Sequence, residues 1–174
     1  MKHTIFIIVS AIILSTNAYA FDLQHLIKAK ATKVCENCDL SGADLSDLDL
    51  SGAKFNESDL SGAKLNNTNL SSASFFNANL NGAELENAKF SGALLLGASM
   101  RKAFMKGAVL SETYLLKTDM RESDLSSANL TRAYLNEDCL LGAKLSDATF
   151  IGSHLKDYPI CNQQKASFTE VTPL

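Results

Sequence analysis

A large apolar residue recurs at every fifth position from Leu40 to Leu155. All 24 of these positions, which we call centres, are Leu, Phe or Met. A second series lies two residues before each centre, and 21 of its 24 members are Ala, Ser or Thr. A period of five fits neither the 3.6-residue period of a helix nor the two-residue period of a strand. Fixed self-similarity of this kind indicates a solenoid.

The spacing within each repeat predicts which side chains face inward. Residues two apart on an extended backbone point to the same side, so each centre and the small residue before it share one side. A narrow lumen has room for one large side chain per repeat, which explains why the second inward residue is small. The other three positions are rich in Asp, Asn, Ser, Lys and Glu. The second series has three exceptions, Cys38, Leu48 and Asp138, which fall near the two ends of the repeat.

The repeat resembles the pentapeptide-repeat family, whose consensus is roughly A-(D/N)-L-x-x. The matching segments include Ala43-Asp44-Leu45-Ser46-Asp47, Ala78-Asn79-Leu80-Asn81-Gly82 and Ala128-Asn129-Leu130-Thr131-Arg132. This resemblance implies an all-β fold, a right-handed quadrilateral β-helix in which four pentapeptides make one coil. The 24 repeats then make about six coils, with residues twenty apart stacked on the same wall.

The glycines predict how the corners turn. All nine lie two residues after a centre, at the third residue of a four-residue corner, which we call the corner residue. A type II turn requires a positive φ at that place, and glycine adopts it readily. Seven of the nine are spaced by multiples of ten. We therefore expect type II turns at alternate corners, with another turn type between them.

The first twenty residues have the pattern of a secretory signal peptide. Lys2 precedes an apolar run, Ile5–Leu14, and Ala18-Tyr19-Ala20 fits a cleavage site after Ala20. The run is shorter than the roughly 18 residues that a membrane-spanning helix needs. We expect an exported chain, periplasmic or secreted, with no membrane span after cleavage.

Residues 21–37 are expected to form an N-terminal cap helix followed by a Cys-x-x-Cys segment. Over residues 21–34, Leu23, Leu26 and Ile27 share one helical face, and Asp22 fits the N-cap. Such a helix would cover the open end of the first coil. The β-helix is predicted over residues 38–157, and residues 158–174 are predicted to form a C-terminal cap or tail over the other end.

Four cysteines in an exported chain predict disulfide bonds. In the coils that the resemblance implies, Cys38 and Cys139 lie in the first and sixth coils. Five coil spacings of about 4.8 Å separate them, which exceeds the roughly 4.4–6.8 Å between Cα atoms that a disulfide allows. Of the three possible ways to pair four cysteines, the one that remains is Cys35–Cys38 with Cys139–Cys161. The Cys35-Glu36-Asn37-Cys38 spacing also fits a redox-active pair, although such sites belong to a different fold.

The sequence shows no arrangement of residues that predicts catalysis, a cofactor or a metal site. After residue 20 the histidines are His25, in the cap helix, and His154, outward in the last coil. One wall, in contrast, should carry a contiguous set of outward apolar side chains, which we call the apolar stripe: Phe76, Leu94, Leu96, Tyr114, Leu116 and Tyr134. An exposed patch of this extent usually marks an interaction site. The alternative is that a long side chain or the C-terminal tail covers it.

The leading interpretation is a non-enzymatic exported scaffold that binds a protein partner or a second copy of itself. The resemblance also implies an alternative, because some pentapeptide proteins mimic DNA and inhibit or protect DNA gyrase. Without Lys2, the chain has 15 basic and 19 acidic residues, a net charge of −4. This balance is too mild to predict a nucleic-acid partner. The signal peptide also argues against the alternative, because it would direct the chain away from gyrase.

Overall fold

The computed structural model describes residues 21–136 and 140–156. The predicted signal peptide, the predicted Cys139–Cys161 disulfide and the predicted C-terminal tail involve residues outside these ranges, so those predictions stay untested. Within the ranges, helix α1 spans Leu23–Thr32 and two short strands span Tyr134–Asn136 (β1) and His154–Lys156 (β2). Strands β1 and β2 pair in parallel, with Leu135 opposite Leu155.

The rest of the repeat is built from single-residue parallel bridges between positions twenty apart. Asp39 bridges Asp59, which in turn bridges Asn79, and the same offset recurs on all four walls. The ladder begins with Val34 opposite Lys54, four residues before the predicted start of the β-helix at residue 38. Short segments of this kind alternate with turns, so few residues form longer strands.

Backbone hydrogen bonds repeat with the same offset. The Leu60 N–H donates to the carbonyl of Asn79 at 2.7 Å, and the corner Gly62 N–H donates to Asn81 at 2.9 Å. The residue before a centre donates in the opposite direction, as the Lys64 N–H does to the carbonyl of Ala43 at 2.9 Å. Each repeat therefore pairs with the coils on both sides, which satisfies backbone groups that would be costly to leave buried and unpaired.

The core is a single apolar lumen formed by the centres and the small residues before them. Both series are buried from Leu40 to Leu135, apart from Leu48, which is partly buried. Phe55 stacks on Phe75 with ring centroids 5.4 Å apart. Some inward hydroxyls donate to the coil before them, as Thr68 Oγ1 does to the Leu45 carbonyl at 2.8 Å, and others donate within their own coil, as Ser123 Oγ does to the Met120 carbonyl at 2.7 Å. The inward-facing pattern read from the sequence agrees with this burial.

The alternation of turn types stays a prediction, but positive φ is not confined to the corners that carry glycine. Every described corner residue has a positive φ, between 62° and 72° for glycine and between 53° and 60° for other residues. Lys102 and Glu112 are examples, with φ of 56° and 57°. Four similar walls need a similar bend at each junction, so the backbone takes the left-handed conformation whether or not glycine is present. Residues other than glycine accept this at a cost on the order of 1 kcal/mol.

The Asp22 N-cap prediction is confirmed, since its side chain accepts a hydrogen bond from the Gln24 N–H at 2.8 Å. The predicted packing face of α1 is wrong in part. Leu23 and Ile27 are 49% and 53% exposed, whereas Leu26 packs against the core and Ala29 is fully buried. The small Ala29 side chain lets the helix approach the coil closely, which turns Leu23 and Ile27 toward solvent.

Helix α1 is joined to the first coil through the backbone of Asp39. The Asp39 N–H donates to His25 Nδ1 at 3.1 Å, and the Asp39 carbonyl accepts from the Asp22 N–H at 3.2 Å. Equivalent N–H groups, such as that of Lys64, donate to the preceding coil. The His25 imidazole thus takes the place of a carbonyl that a preceding coil would supply, and it pairs an otherwise open strand edge.

A disulfide bond joins Cys35 and Cys38, whose Cα atoms lie 5.5 Å apart. Both residues are buried between α1 and the first coil. The bond therefore closes the segment where the helix passes into the β-helix.

Candidate functional site

The candidate site is the wall that carries the apolar stripe. Leu94, Tyr114 and Tyr134 occupy successive coils and are joined by parallel bridges. The Tyr114 and Tyr134 rings are stacked almost parallel, with centroids 4.6 Å apart and planes 3° apart. All three side chains are exposed, at 40% to 46%. They point outward because the centres that follow them, such as Leu115, fill the lumen.

The second column of the stripe lies on the other side of the same centres. Phe76 is 39% exposed, and Leu96 and Leu116 are half-buried. Backbone bonds hold this column in register, because the Asn77 N–H donates to Leu96 and the Gly97 N–H donates to Leu116. The structure thus places all six residues of the apolar stripe on one wall.

The apolar stripe was drawn one residue too short in the sequence interpretation. His154 falls in the same column by its position but was not counted in the stripe, and its ring stacks on Tyr134 with centroids 4.7 Å apart. The stacked column therefore extends over Tyr114, Tyr134 and His154. The signal was present in the sequence, since His154 lies twenty residues after Tyr134 and must occupy the same column.

The N-terminal end of the stripe is closed by a polar network. Asn56 Oδ1 accepts hydrogen bonds from Ser74 Oγ at 2.6 Å and from the Phe76 N–H at 3.0 Å. Asn56 also donates to Glu36 at 2.9 Å. The apolar surface therefore has a defined polar border in the early coils and continues toward His154 in the late ones.

The other walls are mainly polar, and their carboxylates are held in hydrogen bonds. The pKa of Asp49 is lowered to about 2, first by the Ser51 side chain, then by the Ser51 N–H and by Lys33. For Asp119, burial alone would raise the pKa, but hydrogen bonds from Arg121 outweigh it and the pKa is lowered. Phe104 is 58% exposed but lies between Glu84 and Asp124 in its column. It is an isolated aromatic side chain and does not extend the stripe.

The described residues offer no alternative site with recognisable chemistry. In residues 21–136 and 140–156, no group of His, Cys, Asp and Glu side chains could hold a metal ion. His25 and His154 lie at opposite ends of the repeat, so they do not form a shared site. Over the same ranges, the one helix is too short to cross a membrane.

The family follows from a comparison of the sequence with family models. A model described as pentapeptide repeats matches in eight copies, over residues 34–71, 53–92, 68–107, 88–126 and 105–137. The chain belongs to the pentapeptide-repeat family. Members of this family fold as right-handed quadrilateral β-helices and are generally structural or binding proteins. The twenty-residue offset of the bridges agrees with four pentapeptides per coil.

Solved pentapeptide-repeat structures show similarity along most of this chain. Rfr23 from the cyanobacterium Cyanothece 51142 is 22% identical, covers 73% of this chain and 97% of its own, and has a TM-score of 0.48. QnrB1, a plasmid-mediated fluoroquinolone resistance protein, is 25% identical over 69% of this chain and 61% of its own, with a TM-score of 0.45. A pentapeptide repeat protein from Nostoc PCC 7120 is 22% identical over 70% and 93%, with a TM-score of 0.42. No curated protein sequence matches this chain significantly.

Proposed function

We propose that this pentapeptide-repeat protein is an exported, non-enzymatic scaffold that binds another protein through the apolar stripe. The observation that carries the proposal is the collection of six apolar side chains on one wall. Exposed apolar patches of this continuity mark interaction surfaces, and tyrosine is enriched among residues that dominate binding energy.

The rod itself suits a binding role because its surface is pre-organised. Stacked rings and backbone ladders hold Tyr114 and Tyr134 in place before a partner arrives. Binding then costs little conformational entropy in these side chains. We further propose six coils closed at one end by α1, which the bridges from Val34 onward and the contacts of His25 support.

Export is proposed from the signal-like pattern of residues 1–20 together with the cysteines. A buried disulfide between Cys35 and Cys38 suits an oxidising compartment. Within the same proposal, Cys139 and Cys161 form a second disulfide. Peptide mapping of the exported, non-reduced protein should find that pair linked.

The DNA-mimic alternative is less well supported by the charge distribution. A duplex mimic needs a continuous negative surface, but here acidic and basic corner residues of successive coils lie side by side. Lys102 lies 3.5 Å from Glu122, and Arg132 lies 3.6 Å from Glu112. These pairs neutralise one another, so the walls lack an extended field of one sign.

The binding role is tested by a pair of double substitutions in one coil. Tyr114→Asp/Leu116→Asp places two charges on the stripe, and Val109→Asp/Ser111→Asp places two at the equivalent positions of the neighbouring wall. We expect the first variant to lose partner capture from extracts of the producing cells, while the second retains it. Equal capture by both variants and the wild type would contradict the proposed function.

A further inference from the structure

The outer face of α1 carries apolar side chains that do not pack against the coils. Leu23, Ile27 and Ala31 are all exposed. Residues four apart on a helix lie one above the other, so these three form a row along the helix. Ala29, on the opposite side of α1, is fully buried. The row therefore points away from the rod, and packing within the molecule does not account for it.

Lysines flank this row on both sides. In the geometry of an α-helix, Lys30 lies on one side of the row and Lys28 on the other. Both lysines are exposed. Residues 23–34 contain no Asp or Glu, and the Asp22 side chain turns back to accept from the Gln24 N–H at 2.8 Å. The outer face of α1 is thus apolar along its middle and basic along its edges.

The charge of the chain is divided between α1 and the coils. Residues 21–34 carry three Lys and one Asp, whereas residues 35–174 carry 12 basic and 18 acidic residues, a net charge of −6. A negatively charged surface would therefore attract the α1 end of the rod and repel the coils. Charge asymmetry of this kind within one chain is typical of contact with such a surface at the basic end.

The small size of this face favours a membrane over a protein partner. A helix of ten residues is about 15 Å long. One side of it is much smaller than the roughly 800 Å² that each partner buries in a stable protein interface. A lipid surface does not need such an area, because apolar side chains insert below the headgroups while the lysines beside them reach the phosphates.

We propose that the outer face of α1 docks the protein on an anionic lipid surface. Leu23 and Ile27 enter the boundary between headgroups and acyl chains, and Lys28 and Lys30 contact the lipid phosphates. Because α1 covers the end of the first coil, the coils extend away from the surface and the apolar stripe stays free for a partner. The docking is peripheral and reversible, since one short helix carries it.

Vesicle sedimentation tests this docking, with the protein as the producing cells process it. We expect the wild type to bind vesicles of equal parts phosphatidylcholine and phosphatidylglycerol, to bind phosphatidylcholine alone more weakly, and to be released by salt. Leu23→Gln/Ile27→Gln and Lys28→Gln/Lys30→Gln should each lower the partition coefficient about tenfold or more.

Each variant of α1 has a matched control elsewhere on the rod. Phe104→Gln/Ile151→Gln removes two other exposed apolar side chains, and Lys89→Gln/Lys106→Gln removes two other exposed lysines. Both controls should bind the anionic vesicles like the wild type.

Three results would overturn the docking. One is a wild type that does not bind the anionic vesicles. Another is equal binding by the wild type and both α1 variants. A third is a wild-type dimer that Leu23→Gln/Ile27→Gln separates into monomers, which would show that a second copy covers this face. None of these results would alter the partner-capture test of the apolar stripe, which lies on a side wall.

Discussion

At the residue scale, the Asp and Asn residues that precede several of the centres have a structural role. Such a side chain accepts a hydrogen bond from the N–H two residues later, as Asp59 does from Ser61 at 2.9 Å and Asn79 does from Asn81 at 3.1 Å. Short Asx side chains make this local bond readily. Asparagine adds a second bond between coils, since Asn79 Nδ2 also donates to Asp59 Oδ1 at 3.0 Å. Asp and Asn therefore recur at this position because their side chains accept hydrogen bonds from backbone N–H groups.

A change of Asn79 to Asp tests the bond between coils. Asn79→Asp keeps the bond to Asn81 but replaces the donor facing Asp59 with a like charge, so we expect a loss of about 1 kcal/mol in the free energy of unfolding. Asn129→Asp is the control, because its column neighbours are Val109 and Thr149. Urea unfolding at neutral pH measures the free energy of unfolding of both variants. Equal losses in the two variants would contradict the assigned role.

The titration of Asp49 gives a second test at this scale. Its pKa is lowered to about 2, with the Ser51 side chain as the largest cause. A carboxyl whose pKa is lowered on folding adds stability above its unfolded pKa of about 3.9, and loses it as the pH falls through the folded value. We expect NMR to find the Asp49 midpoint near 2 and a higher midpoint in Ser51→Ala. A midpoint that Ser51→Ala leaves unchanged would show that other contacts set this pKa.

At the element scale, the unit of structure is one wall of one coil. The centre and small-residue series were predictable because burial in a narrow lumen acts on every repeat alike. The positive φ at corners without glycine could not be predicted, because the angle between walls fixes the φ of the corner residue. Glycine only marks the corners where that conformation costs least. The face of α1 was also missed in part, since it depends on Ala29 and on the bond from Asp39 to His25. Neither contact leaves a periodic signal.

The narrow lumen predicts a low tolerance for added volume. Ala83 is fully buried, and Ala83→Leu should lower the free energy of unfolding by about 2 kcal/mol or more, because overpacking forces neighbouring side chains and backbone apart. Glu86→Leu adds an apolar side chain at an exposed position of the same repeat and should change the free energy of unfolding by no more than about 0.5 kcal/mol. Thermal unfolding of the two variants gives the comparison. A well-tolerated Ala83→Leu would mean that the lumen is wider than described.

At the scale of the whole molecule, the candidate site is a consequence of stacking. Its six residues are scattered from Phe76 to Tyr134 in the sequence, and the twenty-residue offset alone brings them to one wall. That placement could be predicted once the offset was known. The same offset puts His154 in the column of Tyr134, but the stacking of the two rings required coordinates. The proposed binding role of the apolar stripe rests on its exposure. Comparing partner capture by Tyr114→Asp/Leu116→Asp and by Val109→Asp/Ser111→Asp tests that role.

The central claim is that residues twenty apart are neighbours on one wall, and NMR scalar couplings across hydrogen bonds test it most directly. We expect couplings from the amide nitrogens of Leu60, Leu65 and Phe75 to the carbonyl carbons of Asn79, Glu84 and Leu94, an offset of nineteen on each of three walls. Couplings at a different common offset, or to the carbonyls four residues earlier that an α-helix would give, would contradict the account.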